Sequence, residues 1–177
     1  MGGRALLALK LALTLGVVLL IWWSLSRPDQ GILREITAAG PLGAALVVAA
    51  FLALVALYCR DLQRCLSAIA PAHLAAAPKS VWLMFLVPYN FVEDFFIVHN
   101  LARSIRAEAA ADPALAVIAG RFGLVSGLGW CALQILSLVP LPLGSLAGAL
   151  ALPLWIWHWL YIRRITRHLT HALPVAA

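Results

Sequence analysis

Five stretches of the chain, residues 5–25, 41–58, 81–101, 122–139 and 143–162, are apolar over lengths close to the roughly 20 residues a helix needs to cross a bilayer. Inside lipid a chain must satisfy its own backbone polar groups, and isolated runs of this length do so as helices. The expected fold is therefore all-α, a polytopic helical bundle of an integral membrane protein. Composition agrees: 64% of residues are apolar and 11% charged, whereas soluble domains carry about a quarter charged residues. After four or five such helices, 177 residues leave room for a single membrane domain. The first stretch has the basic flank of a secretory signal, but Lys10 interrupts its start and Trp22-Trp23-Ser24-Leu25-Ser26 is a poor cleavage site. An uncleaved first helix is expected.

Basic residues decide how many stretches should span, because Lys and Arg concentrate on the cytoplasmic side. With five spans and the C-terminus inside, the inner side holds Arg27, Arg34, Arg103, Arg106, Arg121, Arg163, Arg164 and Arg167, eight against five. If the third stretch instead enters and returns from the cytoplasmic side, every basic residue except Arg27 and Arg34 falls inside, eleven against two. The expected topology is four spanning helices, both termini cytoplasmic, and a broken, re-entrant or interfacial segment over 81–106. Five spans are the alternative.

That third segment is the most polar of the apolar runs. Pro88 interrupts it, and Asn90 followed by Glu93 has the spacing of a capping box opening a new helix. Phe91, Phe95, Val98, Ala102 and Ile105 then recur on one face, and Glu93, Asn100 and Ser104 share another. An amphipathic helix is expected, with its apolar side toward lipid or the bundle and Arg103 and Arg106 toward anionic headgroups. A carboxylate at membrane depth costs about 2.5 to 3.5 kcal/mol on insertion scales, so Glu93 and Asp94 need either a role or the free amides of a helix start. Neighbours on a helix diverge by about 100° and cannot share a proton as a dyad. Asn90, Glu93, Asp94, His99, Asn100, Arg103 and His158 make up the candidate polar or ligand site.

His99 and His158 lie at comparable expected depth, so a haem ligated by both is an alternative; otherwise no cofactor is expected. Cys59, Cys65 and Cys131 have neither zinc-ligand nor CxxC spacing and read as small apolar residues. Gly123 with Gly127, and Gly144 with Gly148, let helices approach closely, either inside the bundle or against a second chain. Trp22, Trp23, Tyr58, Trp155, Trp157, Trp159 and Tyr161 fall toward segment ends and are expected as interfacial anchors. Gln134 is expected to hydrogen-bond between helices, and His73 to lie in a loop. The second helix should continue beyond the membrane to about Ile69 and stop at Pro71, and the last two should turn tightly at 140–142. Arg163, Arg164 and Arg167 are expected at the headgroups of anionic cytoplasmic-leaflet lipid, with His168 and His171 adding to that contact when protonated. The 13 basic residues form no dense stripe, which argues against nucleic acid. Hydrolase, kinase and metalloprotease motifs are absent, so an enzyme is not the expectation.

Pro88-Tyr-Asn-Phe91, then Phe95, Val98, Leu101-Ala102 and Ser104, an apolar hairpin, and a last helix ending Trp159-Leu-Tyr-Ile-Arg-Arg164 together resemble small uncharacterised bacterial inner-membrane proteins with a Pro-x-Asn turn before an amphipathic segment. The resemblance implies a bacterial inner-membrane location and transfers no activity. The leading expectation is a non-enzymatic accessory or assembly subunit, of a respiratory or photosynthetic type of complex, acting through helix contacts with other subunits or with its own copies. A module binding haem, quinone or lipid is the second expectation, and a small transporter or channel component the third.

Overall fold

The computed structural model describes residues 3–27, 34 and 38–172. Its elements are α1 (Gly3–Leu25), α2 (Gly40–Ser67), two short 3-10 segments (Pro71–His73 and Pro78–Phe85), α3 (Asn90–Ala109), α4 (Pro113–Ala119), α5 (Leu124–Leu136) and α6 (Pro142–Ala172). There is no strand among the described residues. Four stretches are long and apolar enough to cross a membrane: Gly3–Leu25, Gly40–Ser67, Pro113–Leu136, which joins α4 to α5, and Pro142–His171. These are the helices of a multi-pass membrane protein.

Local chemistry sets most boundaries. α2 runs on to Ser67 and the chain turns at Pro71, whose ring cannot continue a helix. α4, which the apolar pattern alone does not reveal, starts with Pro113 in its first turn and with the Asp112 carboxylate accepting from the Leu115 amide at 3.0 Å. It ends at Gly120, where φ is +51°. α5 and α6 are joined by a tight turn through 137–141 and pack as neighbours.

The third apolar stretch is broken around Pro88: a 3-10 segment precedes it and α3 follows. Asn90, however, is not a cap. It is the first residue of α3, and its amide already donates to the Leu86 carbonyl at 2.9 Å. With the preceding turn supplying that acceptor, the Asn90 side chain is released inward, and Glu93 reaches Lys10 instead of folding back. The expected apolar face of α3 turns to the bundle and Arg103 and Arg106 turn outward, but the polar residues Glu93, Asp94 and Ser104 are buried as well. α3 is the hub, packed on α1, α4, α5 and both 3-10 segments, with Glu93, Asp94 and Ser104 as buried as Val98 and Ile105. His99, Arg103 and Arg106 are its exposed residues short of the C-terminal end.

Three hydrogen bonds tie the chain after α2 to the far end of α3. Glu108 Oε2 accepts from the Ala70 amide at 3.0 Å and lies 2.8 Å from His73 Nδ1, and the Ala75 amide donates to Ser104 Oγ at 2.9 Å. At the same end Trp159 Nε1 donates to Asp61 Oδ2 at 2.8 Å, joining α2 to α6. His168 Nε2 meets Asp112 Oδ2 at 2.8 Å, joining α6 to α4.

Two expectations about packing change. Tyr58 and Trp155 are not interfacial anchors: they are 1% and 6% exposed, because α2 and α6 extend past the expected ends and leave both rings at mid-helix. Trp22 and Trp157 do face outward. Gly123 and Gly127 are filled from within the chain, since a Cβ on Gly123 would meet the Tyr161 ring and one on Gly127 would collide with Val98 Cγ1 and the His158 ring. Gly144 lies against the Val139 carbonyl of the preceding turn, and Gly148 is buried.

Candidate functional site

A cavity of about 190 Å³ opens where four helices meet the segment before Pro88. α2 contributes Phe51, Val55 and Tyr58; α3 contributes Asn90, Phe91 and Asp94; α5 contributes Trp130 and Gln134; and α6 contributes Trp155. Met84 and Phe85 close it from the 3-10 side. Phe51, Val55 and Tyr58 on α2, Asn90 and Asp94 on α3, and Trp130 and Gln134 on α5 recur at helical spacing, as periodicity requires for side chains sharing a face.

The aromatic wall is continuous. Tyr58 meets Trp155 edge-on at 5.5 Å between centroids and Trp130 edge-on at 6.1 Å, while Phe51 tilts against Trp155 at 5.9 Å. Behind them Trp159 lies 5.6 Å from Trp155, held by its bond to Asp61. Such geometries are favourable between ring quadrupoles and stiffen the wall.

The polar groups around this cavity are incompletely satisfied. Seven buried side-chain nitrogen and oxygen atoms lack a hydrogen-bond partner among the described residues. Six of them, on Tyr58, Asn90, Asp94, Trp130, Gln134 and Trp155, belong to residues lining this one cavity, where the Trp130 indole also lies near the Tyr58 hydroxyl without closing a full hydrogen bond. A buried donor or acceptor left unmade costs about 1–3 kcal/mol, so native proteins rarely tolerate several together without something to pair them. Burial pushes the Asp94 carboxyl well above the usual carboxylate range, and the neighbouring Glu93 charge adds to the rise. Gln134 therefore does not make the inter-helix hydrogen bond expected of it through its Oε1.

Glu93 turns the other way, as the angular divergence of neighbours requires. Its Oε2 is 2.5 Å from Lys10 Nζ, and Lys10 also lies 4.1 Å from the centre of the Phe96 ring. The pair is largely shielded, with side-chain exposures of 13% and 9%. It joins α1 to α3, and α1 otherwise buries only Val17 and Ser24.

The expected site residues thus separate. Asn90 and Asp94 border the cavity, whereas Glu93 serves the α1 contact. His99 and Arg103 are exposed and Asn100 half-buried, away from the cavity lining. His158 is buried with Nδ1 3.2 Å from Ser126 Oγ, its ring pressed on Gly123 and Gly127. A haem between His99 and His158 would need both imidazoles to border one open slot, and the enclosed His158 ring does not. No group of three or more His, Cys, Asp or Glu converges on a metal position among the described residues. Arg163 approaches Asp61 at 3.7 Å, and Arg163, Arg164 and Arg167 are exposed on the last turns of α6. The residues that sequence reasoning missed are Tyr58, Trp130 and Trp155 as cavity walls and Lys10 as partner to Glu93. An unbroken charge inside an apolar helix was the available signal for Lys10; for the rings there was none, because their meeting depends on packing across three helices.

The chain matches no family model, no curated protein and no solved structure.

Proposed function

We propose that this is a bacterial inner-membrane protein that binds a small ligand in the cavity between α2, α3, α5 and α6. The observation that carries the reading is the concentration of six unpartnered buried polar atoms on the residues of one aromatic-walled cavity. A guest bringing both donors and acceptors relieves several of those costs at once. A broken segment beside the cavity fits too, since irregular backbone within a membrane protein is tolerated where it is buried or lines a cavity.

In this reading α3 and the 3-10 segment before it form a re-entrant unit. The bonds from Ala70, His73 and Ala75 to Ser104 and Glu108 hold the start and end of the segment within hydrogen-bonding distance. A spanning segment would separate its ends by about 30 Å. With four spans both termini share one side, and the distribution of Lys and Arg makes that side cytoplasmic. Arg163, Arg164 and Arg167 then meet anionic headgroups. The exposed apolar faces of α1 and α2 are the faces that lipid itself covers.

Native mass spectrometry of the protein released from its own membranes tests the reading. A small-molecule adduct is expected on the wild type and should be lost on Ala151→Phe, because Ala151 of α6 also lines the cavity and the larger ring would fill it. Absence of any adduct, together with no small molecule from a broad panel raising the unfolding temperature, would refute it.

A further inference from the structure

We propose that the cavity ligand is a small organic cation, an amine or quaternary ammonium group held by the Asp94 carboxylate against the rings of Tyr58, Trp130 and Trp155. The inference rests on the cavity being a ligand site and adds the sign and size of its guest.

Charge is the first argument. Among the described residues Asp94 is the only acidic one lining the cavity, and none of the lining residues is Lys, Arg or His. The nearest basic group on α1, Lys10, is taken by Glu93 at 2.5 Å. An anionic guest would find no positive partner in the lining, only the neutral Tyr58, Trp130 and Trp155 donors, and would lie beside Asp94. A neutral carbonyl compound could accept from the indole N–H groups, yet it would bring no donor to Asn90 Oδ1 or Gln134 Oε1. A cation meets both the carboxylate and the ring quadrupoles, the chemistry by which aromatic cages hold quaternary ammonium groups.

Geometry is the second. Asp94 is 2% exposed and its Oδ1 has no partner. The side chain is thus nearly enclosed, and a cation drawing it into the ionised form would supply the counter-charge that burial otherwise denies it. Glu93 does not compete, because it points to Lys10 on the other face of α3. Tyr58, Cys59 and Cys131 face Asp94 from α2 and α5, and none of them carries a positive charge. Volume is the third. A cavity of about 190 Å³ equals roughly six water molecules, which suits a choline-sized cation and falls below the usual space for drug-sized ligands.

The test uses the full chain purified in mild detergent and follows tryptophan fluorescence on titration with choline. A parallel titration uses 3,3-dimethylbutan-1-ol, which has the same shape with carbon in place of nitrogen. Choline is expected to give saturable quenching at least roughly tenfold tighter than the alcohol. Asp94→Asn should weaken choline by about tenfold or more and leave the alcohol unchanged. Equal affinity for the two would overturn the cation assignment while keeping the cavity as a ligand site. No saturable response to choline from folded wild type would overturn the cation assignment too, and the adduct measurement would then judge the site independently. Should Asp94→Asn fail to fold, the comparison of charged and neutral probes on the wild type decides alone.

Discussion

Lys10 carries its charge into an otherwise apolar helix, and the Glu93 carboxylate with the Phe96 ring is what makes that tolerable. Removing one member of a shielded ion pair strands the other, at a typical cost of 3–5 kcal/mol. Because Lys10 keeps the Phe96 ring, Glu93→Gln is expected near the low end, about 3 kcal/mol. Lys10→Met combined with Glu93→Gln should recover part of the loss, since no stranded charge remains and the buried amide costs only the smaller penalty of a neutral polar group, about 1–3 kcal/mol. Denaturant titrations of both variants in micelles read this out; equal destabilisation of the single and double variants would mean the pair is not coupled. Asp112 gives a pH-dependent counterpart outside the spans. The hydrogen bond from His168, then that from the Leu115 amide, holds its carboxyl below the usual range. A carboxylate with a lowered folded-state pKa contributes fully above its ordinary value, near 3.9, and loses that contribution as pH falls through the lower one. The difference in unfolding temperature between wild type and Asp112→Ala should therefore be largest near neutral pH and shrink below about pH 4. A difference that does not change with pH would assign it to the loss of side-chain volume.

Among the elements, α1, α2, α5 and α6 follow from apolar length alone, and the break before α3 follows from Pro88. The amphipathic reading of α3 holds for His99, Arg103 and Arg106, which are exposed opposite buried Val98, Ala102 and Ile105, but not for Glu93, Asp94 and Ser104, which are buried inside the bundle. Glu93 finds a partner 83 residues away in sequence, and no local pattern encodes that pairing. Asp112-Pro113 did carry a readable helix-start signal. The cavity was not legible at all, since its wall is assembled from side chains on separate helices. Glycine spacing was readable, and the structure assigns its use. The Gly123–Gly127 face of α5 is occupied by Val98, His158 and Tyr161 of the same chain. Gly127→Ala should thus overpack the α3–α5–α6 junction at a cost of about 1–3 kcal/mol without changing oligomeric state. Light scattering coupled to size exclusion would check the second half; dissociation of an oligomer by this variant would give the face to a second chain instead.

At the scale of the whole molecule, the segment from 70 to 109 determines how many times the chain crosses the bilayer. Its two ends are joined through Glu108 and Ser104, so a re-entrant path keeps both ends on one side, whereas five spans would have to break those bonds and part the ends by the thickness of the hydrocarbon core, about 30 Å. Single cysteines at Ala72 and Arg103, both exposed positions, discriminate the two. The native cysteines at 59, 65 and 131 are buried, so background labelling by a membrane-impermeant maleimide should be low. Both engineered thiols are expected to react in inverted vesicles and to be protected in intact cells, because the proposed topology puts that end in the cytoplasm. Labelling from opposite sides would establish five spans. It would also remove the re-entrant turn that holds Asn90 and Asp94 at the cavity, so the topology of this segment and the chemistry of the cavity stand on the same contacts.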